Sequence, residues 1–458
     1  MQHYDLVIIG AGSGNSIIGP ALDGWSIALV EEWVFGGTCL NRGCIPTKMF
    51  VHSADTVVGV EHSSVLGVDA HVDAVRWLDI RDRVFNRIDP IAAGGERYRR
   101  EGSPNVTVHA GHARFIGERQ LAVTMADGTV TEIEGRQVVV AAGARPMIPD
   151  VPGLDEVGYF TSDDIMRVDE VPEHLIVLGG GFIACELAHV FGALGSKVTI
   201  LQRSATLLRT EDHDISVAIT ESFSKRFDLR CGVHPVAFER IGSKVIVTLG
   251  DGSTVEGSDV LVATGRIPNS DVLDAAGGGL SMHLDGRIVV DETQATSVPG
   301  VWALGDISSP FMLKHVANHE CRVVAHNLAN PDNLRATDHR AVPHAVFTNP
   351  QIASVGLTEH TARAIGIDVM VATQRYADVA YGWALEDTTS FCKLIADRLT
   401  RRLIGAHIIG PHASSLIQQL VQAIRWDITV DELATGQYYI HPALGEVIEN
   451  ALLNFEPA

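Results

Sequence analysis

The chain has 458 residues, 46% of them hydrophobic and 20% charged, with a formal net charge of −21. That length exceeds one core and suits about three domains. The composition is that of a soluble globular protein, and the acidic balance argues against nucleic acid or an anionic membrane as partner, since each needs a basic surface. No apolar run is long enough to span a bilayer. The chain passes early into Leu6-Val7-Ile8-Ile9 without the basic region of a secretory signal, so a cytoplasmic protein is expected. In that compartment six cysteines do not imply a structural disulfide framework.

Asp5 to Ile9 reads as a short buried strand. It runs into Gly10-Ala11-Gly12-Ser13-Gly14-Asn15, then a helix expected through Leu22. A second strand, Ser26 to Val30, ends at Glu31. Strand, glycine turn, helix, strand and acid are the fingerprint of a dinucleotide-binding unit. The glycines let backbone N–H groups approach a pyrophosphate, and Glu31 suits a ribose. Asn15 stands where a third glycine is usual, so either packing loosens there or Gly14 takes its place.

Next comes Gly36-Gly37-Thr38-Cys39-Leu40-Asn41-Arg42-Gly43-Cys44-Ile45-Pro46-Thr47-Lys48. Pro46 suits the first turn of a helix. Two thiols near a helix N-terminus would lie in a field that favours thiolate. Two readings fit the spacing: a redox-active disulfide, or a pair of reduced structural cysteines. A zinc-type or thioredoxin-type spacing is absent, and no metal site is expected. Further on, Trp77, Ile80, Val84, Ile88 and Ile91 share a helical face that predicts core. Val106 to Val140 reads as short strands around turns, closing on Val140-Ala141-Ala142-Gly143.

After the turn-rich Asp150-Val151-Pro152-Gly153, the pattern repeats. A strand, Leu175 to Leu178, meets Gly179-Gly180-Gly181-Phe182-Ile183-Ala184. A helix and the strand Lys197 to Leu201 follow, and the closing unit returns as Val262-Ala263-Thr264-Gly265-Arg266. Two such units in one chain mean two dinucleotides. The second has Gln202, not an acid, at its strand end, with Arg203 and Arg209 beyond. Two guanidiniums suit a 2′-phosphate. Each charged hydrogen bond is worth about 1.5–3 kcal/mol, so losing both would cost at least about a hundredfold in preference. Cys185 and Cys231 read as small apolar packing groups.

Val301 to Leu304 is a short apolar strand ending in Gly305-Asp306, with a helix from Leu313 through Leu328. From about residue 336 strands at Ala345–Pro350, Ile352–Gly356, Lys393–Ala396 and Leu403–Ile409, with helices from Thr358, His412 and Asp431, suggest an α+β domain. Near the end stands His441-Pro442-Ala443-Leu444-Gly445-Glu446. Pro442 marks a helix start, and Glu446 is placed to fix the ring of His441. Disulfide reduction needs an acid that protonates a leaving thiolate near neutral pH, which histidine suits. By itself such a histidine also reads as structural.

These motifs together resemble the flavin-dependent disulfide oxidoreductases, the family of glutathione reductase and dihydrolipoamide dehydrogenase. The resemblance rests on Gly36 through Lys48, both glycine turns, both closing units, Gly305-Asp306 and His441-Pro442, and it runs the full length. It implies an α/β fold with two Rossmann-like dinucleotide-binding domains, for FAD and NADPH, and a C-terminal α+β dimerisation domain. The implied bounds are 1–149 and 264–335 for FAD, 150–263 for NADPH and 336–458 for the interface. For FAD it implies Gly10, Gly12, Gly14, Glu31, Thr38, Lys48, Ala113, Gly143 and Asp306. For the nicotinamide nucleotide it implies Gly179, Gly181, Ile183, Arg203, Arg209 and Gly265, with NADH the weaker alternative; glutathione reductase has two arginines at the same spacing. Cys39 would be the outer thiol and Cys44 the one facing the flavin. Lys48 would pair with Glu186. His441, oriented by Glu446, would serve the thiols of a partner subunit in a homodimer. The implied substrate is a low-molecular-weight disulfide. The alternatives are a dihydrolipoamide dehydrogenase, disfavoured by Arg203 and Arg209; a soluble transhydrogenase, which needs no cysteine pair; and a non-enzymatic flavoprotein subunit.

Overall fold

A computed structural model describes residues 1–456. They form two compact units, one of residues 1–47, 81–147 and 265–338, the other of 48–80, 148–264 and the described residues from 339 on.

The first unit is built on one sheet. Strands Val301–Ala303, Val130–Val140, Gln2–Ile9, Ile27–Glu31 and the start of Val106–Gly117 lie parallel in that order. Val106–Gly117, Gln120–Met125 and Val130–Val140 form an antiparallel meander. The second half of the central strand Gln2–Ile9, Leu6 to Ile9, is an unbroken apolar run because both its faces are covered. Val7 and Ile9 enter one core with Val30 and Val140, while Leu6 and Ile8 enter another with Leu29 and Val139. Each fully buried side chain of this size contributes about 1.5–3 kcal/mol.

Two expectations need correction here. The helix expected after the first glycine turn is replaced by two 3-10 turns, Gly14–Ile17 and Pro20–Leu22. Gly19 between them is extended, and Pro20 has no N–H to continue a helix. Ile91 is also not core: it is exposed on the helix Trp77–Glu101, whose buried side carries Trp77, Val84, Ile88 and Ala92. Pro90 lies inside that helix, just before Ile91.

The second unit holds two main sheets. One is parallel, in the order Asp259–Val262, His174–Leu178, Lys197–Gln202, Asp228–Cys231. An antiparallel sheet not expected from the sequence, Pro235–Ile241, Lys244–Leu249 and Thr254–Gly257, shares its core through Phe238, Val247 and Leu178. The other main sheet is antiparallel, in the order Pro343–Val346, Ile352–Gly356, Leu403–Ile409, Phe391–Asp397, Val369–Arg375. Its edge strand Val369–Arg375 is also not expected from the sequence; after Val369 it buries alternate residues, Met370, Ala372 and Gln374, and exposes those between. Helices Ala413–Arg425 and Gly445–Leu453 cover one face with Ile417, Leu420, Val447 and Ile448. The helix after His441 begins at Gly445, so Pro442 precedes it in a turn and does not open it. Among the described residues no helix is long and apolar enough to cross a membrane.

Candidate active site

The cysteine segment is seated on the first glycine turn, backbone against backbone. Gly10 has φ +102°, and a β-carbon there would meet Ala141 O at 2.4 Å. One on Gly37, at φ +64°, would meet Gly12 Cα at 2.9 Å. Gly36 N donates to Ala11 O at 3.0 Å, tying the two stretches together. Only glycines allow this approach. Gly14 takes the part of the missing third glycine: a β-carbon on it would stand 2.8 Å from Ala141 Cβ and 3.0 Å from Ile8 Cγ2. Asn15 is held instead by Arg99, whose Nε donates to Asn15 Oδ1 at 2.7 Å. Glu31 closes the unit, accepting from Ala11 N at 2.7 Å and Trp33 N at 2.9 Å. Burial raises its carboxyl above the ordinary range, against the pull of those two N–H groups.

Thr38 and Cys39 lie in the short helix Gly37–Asn41, and Cys44 is the first residue of the helix Cys44–His62. Cys39 is half-buried and Cys44 exposed. Pro46 falls in the first helical turn, where its missing N–H costs nothing. Asn41, not singled out from sequence, laces the segment: its Nδ2 donates to Phe35 O at 2.9 Å and Gly37 O at 3.0 Å. Ala113 is buried within the first unit's core, and Gly143 takes φ +67° after the strand Val130–Val140.

Asp306 begins at the buried end of Val301–Ala303, in the 3-10 turn Gly305–Ile307. Burial raises its carboxyl, while Arg266 and Lys314 act against the shift. Lys314 also donates to Ser13 Oγ in the glycine turn at 2.8 Å. Glu320, one helical stretch on, accepts from Gly305 N at 2.7 Å and is pushed up to about 7 by burial. Neither Lys314 nor Glu320 was marked as functional from the sequence. Their partners lie 301 and 15 residues away, beyond any local pattern.

In the second unit Gly179 has φ +119°, and a β-carbon there would meet Ala263 O at 2.3 Å. Around Gly181, which precedes the helix Phe182–Ala193, a β-carbon would meet nothing within 4 Å. That leaves the helix start open to a pyrophosphate. Ile183 is half-buried on the first turn of that helix. Arg203 and Arg209 are exposed and make no ion pair among the described residues. Gly265 falls in the first unit, with φ +145° and its carbonyl accepting from Met147 N at 2.9 Å. Lys48 pairs with Glu186 at 2.6 and 2.8 Å, and Phe347 N gives Glu186 a further donor at 2.9 Å. Cys185 is fully buried, and burial pushes its thiol far up; Cys231 is only half-buried. His441 is exposed, and its Nδ1 stands 2.7 Å from Glu446 Oε1.

A glycine turn closed by a carboxylate, a second glycine turn in the same chain, and two cysteines beside the first turn, one of them opening a helix, define a two-dinucleotide disulfide oxidoreductase. The chain belongs to the pyridine nucleotide-disulphide oxidoreductases: that family's profile matches residues 4–321, and the profile of its dimerisation domain matches 342–452. It is 51% identical to mycothione reductase of Mycobacterium tuberculosis over 99% of both chains. It is 33% identical to dihydrolipoyl dehydrogenase of Chlamydia muridarum over 99% of this chain and 97% of the relative. Among solved structures, the HOCl-induced flavoprotein disulfide reductase RclA of Escherichia coli, as a Cu(II) complex, superposes with a TM-score of 0.87 at 29% identity, covering 99% of both chains. The chain is an NAD(P)H-dependent disulfide oxidoreductase that works with FAD, and glycine turns with positive φ at Gly10 and Gly179, where a β-carbon has no room, suit the close backbone approach of a nucleotide.

Proposed function

We propose that this enzyme reduces a low-molecular-weight disulfide, mycothiol disulfide, with electrons from NADPH. The observation that carries the disulfide chemistry is the cysteine segment packed on the first glycine turn, with Cys44 opening a helix. The helix N-terminus favours a thiolate at Cys44. Cys39 attacks the substrate disulfide, forming a mixed disulfide and releasing one thiol. Cys44 then displaces the second thiol and closes the Cys39–Cys44 bond. His441, oriented by Glu446 at 2.7 Å, takes the proton from Cys39 and returns it to the leaving thiolate. FAD supplies the two-electron relay between the nicotinamide and this disulfide. Gly10, Gly12, Gly14, Glu31, Thr38, Ala113, Gly143 and Asp306 would hold it, with Lys48 fixed for it by Glu186.

Gly179, Gly181, Ile183 and Gly265 would hold the nicotinamide nucleotide. Exposed Arg203 and Arg209 beside Gln202 support NADPH over NADH. The identity of 51% with mycothione reductase supports the substrate. So does the resemblance of Gly12–Ser16, Leu313–Glu320, Val379–Ala384 and His441–Glu446 to that enzyme. The domain assignment that goes with this reading is FAD on 1–149 and 264–335, NADPH on 150–263 and dimerisation on 336–458, with the histidine of one subunit serving the thiols of the other. NADPH oxidation against mycothiol disulfide, glutathione disulfide, lipoamide and trypanothione disulfide tests it. Turnover is expected with the first; preference for lipoamide and NADH would return the enzyme to the dihydrolipoamide dehydrogenases.

A further inference from the structure

In the C-terminal antiparallel sheet the strand register sets four polar residues in line. His344 lies opposite Ser354, Ser354 opposite His407, and His407 opposite Lys393. Opposed residues on neighbouring strands share a face, so the four form a row across the sheet. Ser354, His407 and Lys393 are buried. Such a row destabilises the fold unless partners reach it.

His407 Nε2 lies 3.1 Å from Leu357 O; the partners of the other three come from the segment that carries Arg209. Glu211 accepts from His344 Nε2 and from Ser354 Oγ, each at 2.6 Å. Asp212, 1% exposed, accepts from Lys393 Nζ at 2.8 Å and from Glu359 N at 3.0 Å. It also caps the helix His213–Ser224 through Asp214 N at 3.2 Å. Lys393 further meets Asp214 at 2.7 Å and Glu359 at 2.8 Å. Burial works against the charge on Lys393, and the three carboxylates overcome it and raise its pKa. On the other side of Arg209, Leu208 N donates to Gly180 O in the second glycine turn at 2.8 Å. Leu208 O accepts from Glu211 N at 2.9 Å and from Ser216 Oγ at 2.8 Å. The backbone of Arg209 is therefore held between two fixed points, one on the dinucleotide turn and one on the far sheet.

We propose that His344, Ser354 and Lys393 of this row, by gripping Glu211 and Asp212, position Arg209 for the 2′-phosphate, so that residues outside the dinucleotide-binding sheet set nucleotide preference. The inference rests on the NADPH reading above. His344 and Ser354 are positioning residues, acting through Glu211.

The test uses the full-length, FAD-loaded enzyme and calorimetric titration with 2′,5′-ADP and with 5′-AMP, which lacks only the 2′-phosphate. Ser354→Ala and His344→Phe are each expected to weaken 2′,5′-ADP about tenfold and to leave 5′-AMP within about twofold. His344→Gln, which keeps a donor, is expected to recover most of the loss. Equal weakening of both probes makes the row merely structural and overturns the proposal, as does unchanged binding of both. Should His344→Phe fail to fold, Ser354→Ala decides alone, since it removes a single hydroxyl. A wild-type enzyme that binds both probes alike overturns the NADPH reading and this inference with it. A selective wild type whose variants stay selective overturns the inference only.

Discussion

His441 is exposed, and its partner Glu446 is mostly buried at 2.7 Å, so the ring is oriented while its other nitrogen faces outward. Under the proposed mechanism it acts only in the exchange with substrate, taking the Cys39 proton and passing it to the leaving thiolate, and has no part in flavin reduction. His441→Gln is therefore expected to slow disulfide reduction about a hundredfold or more while flavin reduction by NADPH, followed by stopped-flow absorbance, is nearly unchanged. Equal slowing of both steps would remove His441 from proton transfer. Gly179 meets a different constraint. Its φ of +119° and the 2.3 Å approach to Ala263 O leave no room for a side chain. Gly179→Ala is expected to destabilise the second unit by about 1–3 kcal/mol and to weaken binding of 2′,5′-ADP, read by thermal melting and calorimetry. A melt unchanged from wild type would show that the turn relaxes.

The helix Lys314–Ala329 links two parts of the proposed flavin site, with Lys314 on Ser13 and Glu320 on Gly305. Glu320 has a folded pKa of about 7, raised from an ordinary value of 4.5 by burial. The neutral form is the one the native state prefers. Its contribution is fully present below the ordinary value and is lost as pH rises through about 7. The melting temperature and the retention of FAD are expected to fall across that window. Glu320→Gln, which is neutral throughout, is expected to flatten both profiles. An identical slope in the variant would place the pH dependence elsewhere.

At the scale of the whole molecule the chain carries the family's dimerisation domain over residues 342–452. If the histidine of one subunit serves the thiols of the other, two dead homodimers can rescue each other. Cys39→Ser and His441→Gln enzymes, each inactive alone, are expected to regain activity when dissociated and reassembled together, because a mixed dimer then holds one intact site. With both groups needed from the same chain, every subunit of the mixture stays defective and no activity returns. Activity of the mixed population against the parental enzymes, at matched total protein, decides between the two arrangements.

The two glycine turns were readable directly, because each is a local demand for a left-handed backbone at Gly10 and Gly179; the cysteine pair and the His-Pro segment by themselves left two readings open, and the resemblance chose between them. The strands Gln2–Ile9 and Leu403–Ile409 were readable for a related reason, as apolar runs bounded by turn residues. The break between Gly14–Ile17 and Pro20–Leu22 is set by Gly19-Pro20, where the apolar pattern by itself predicts a continuous helix. Ile91 fitted the helical period yet lies outside, since the buried side of its helix runs through Val84, Ile88 and Ala92. The sequence by itself thus determined the class of chemistry and the repetition of the dinucleotide-binding pattern. Only the tertiary structure decided that Gly14 supplies the close packing missing at Asn15, that Lys314 reaches Ser13, and that His344, Ser354, His407 and Lys393 align. Those facts depend on strand register and on hydrogen bonds between residues as far as 301 positions apart, which burial enforces and no local period records.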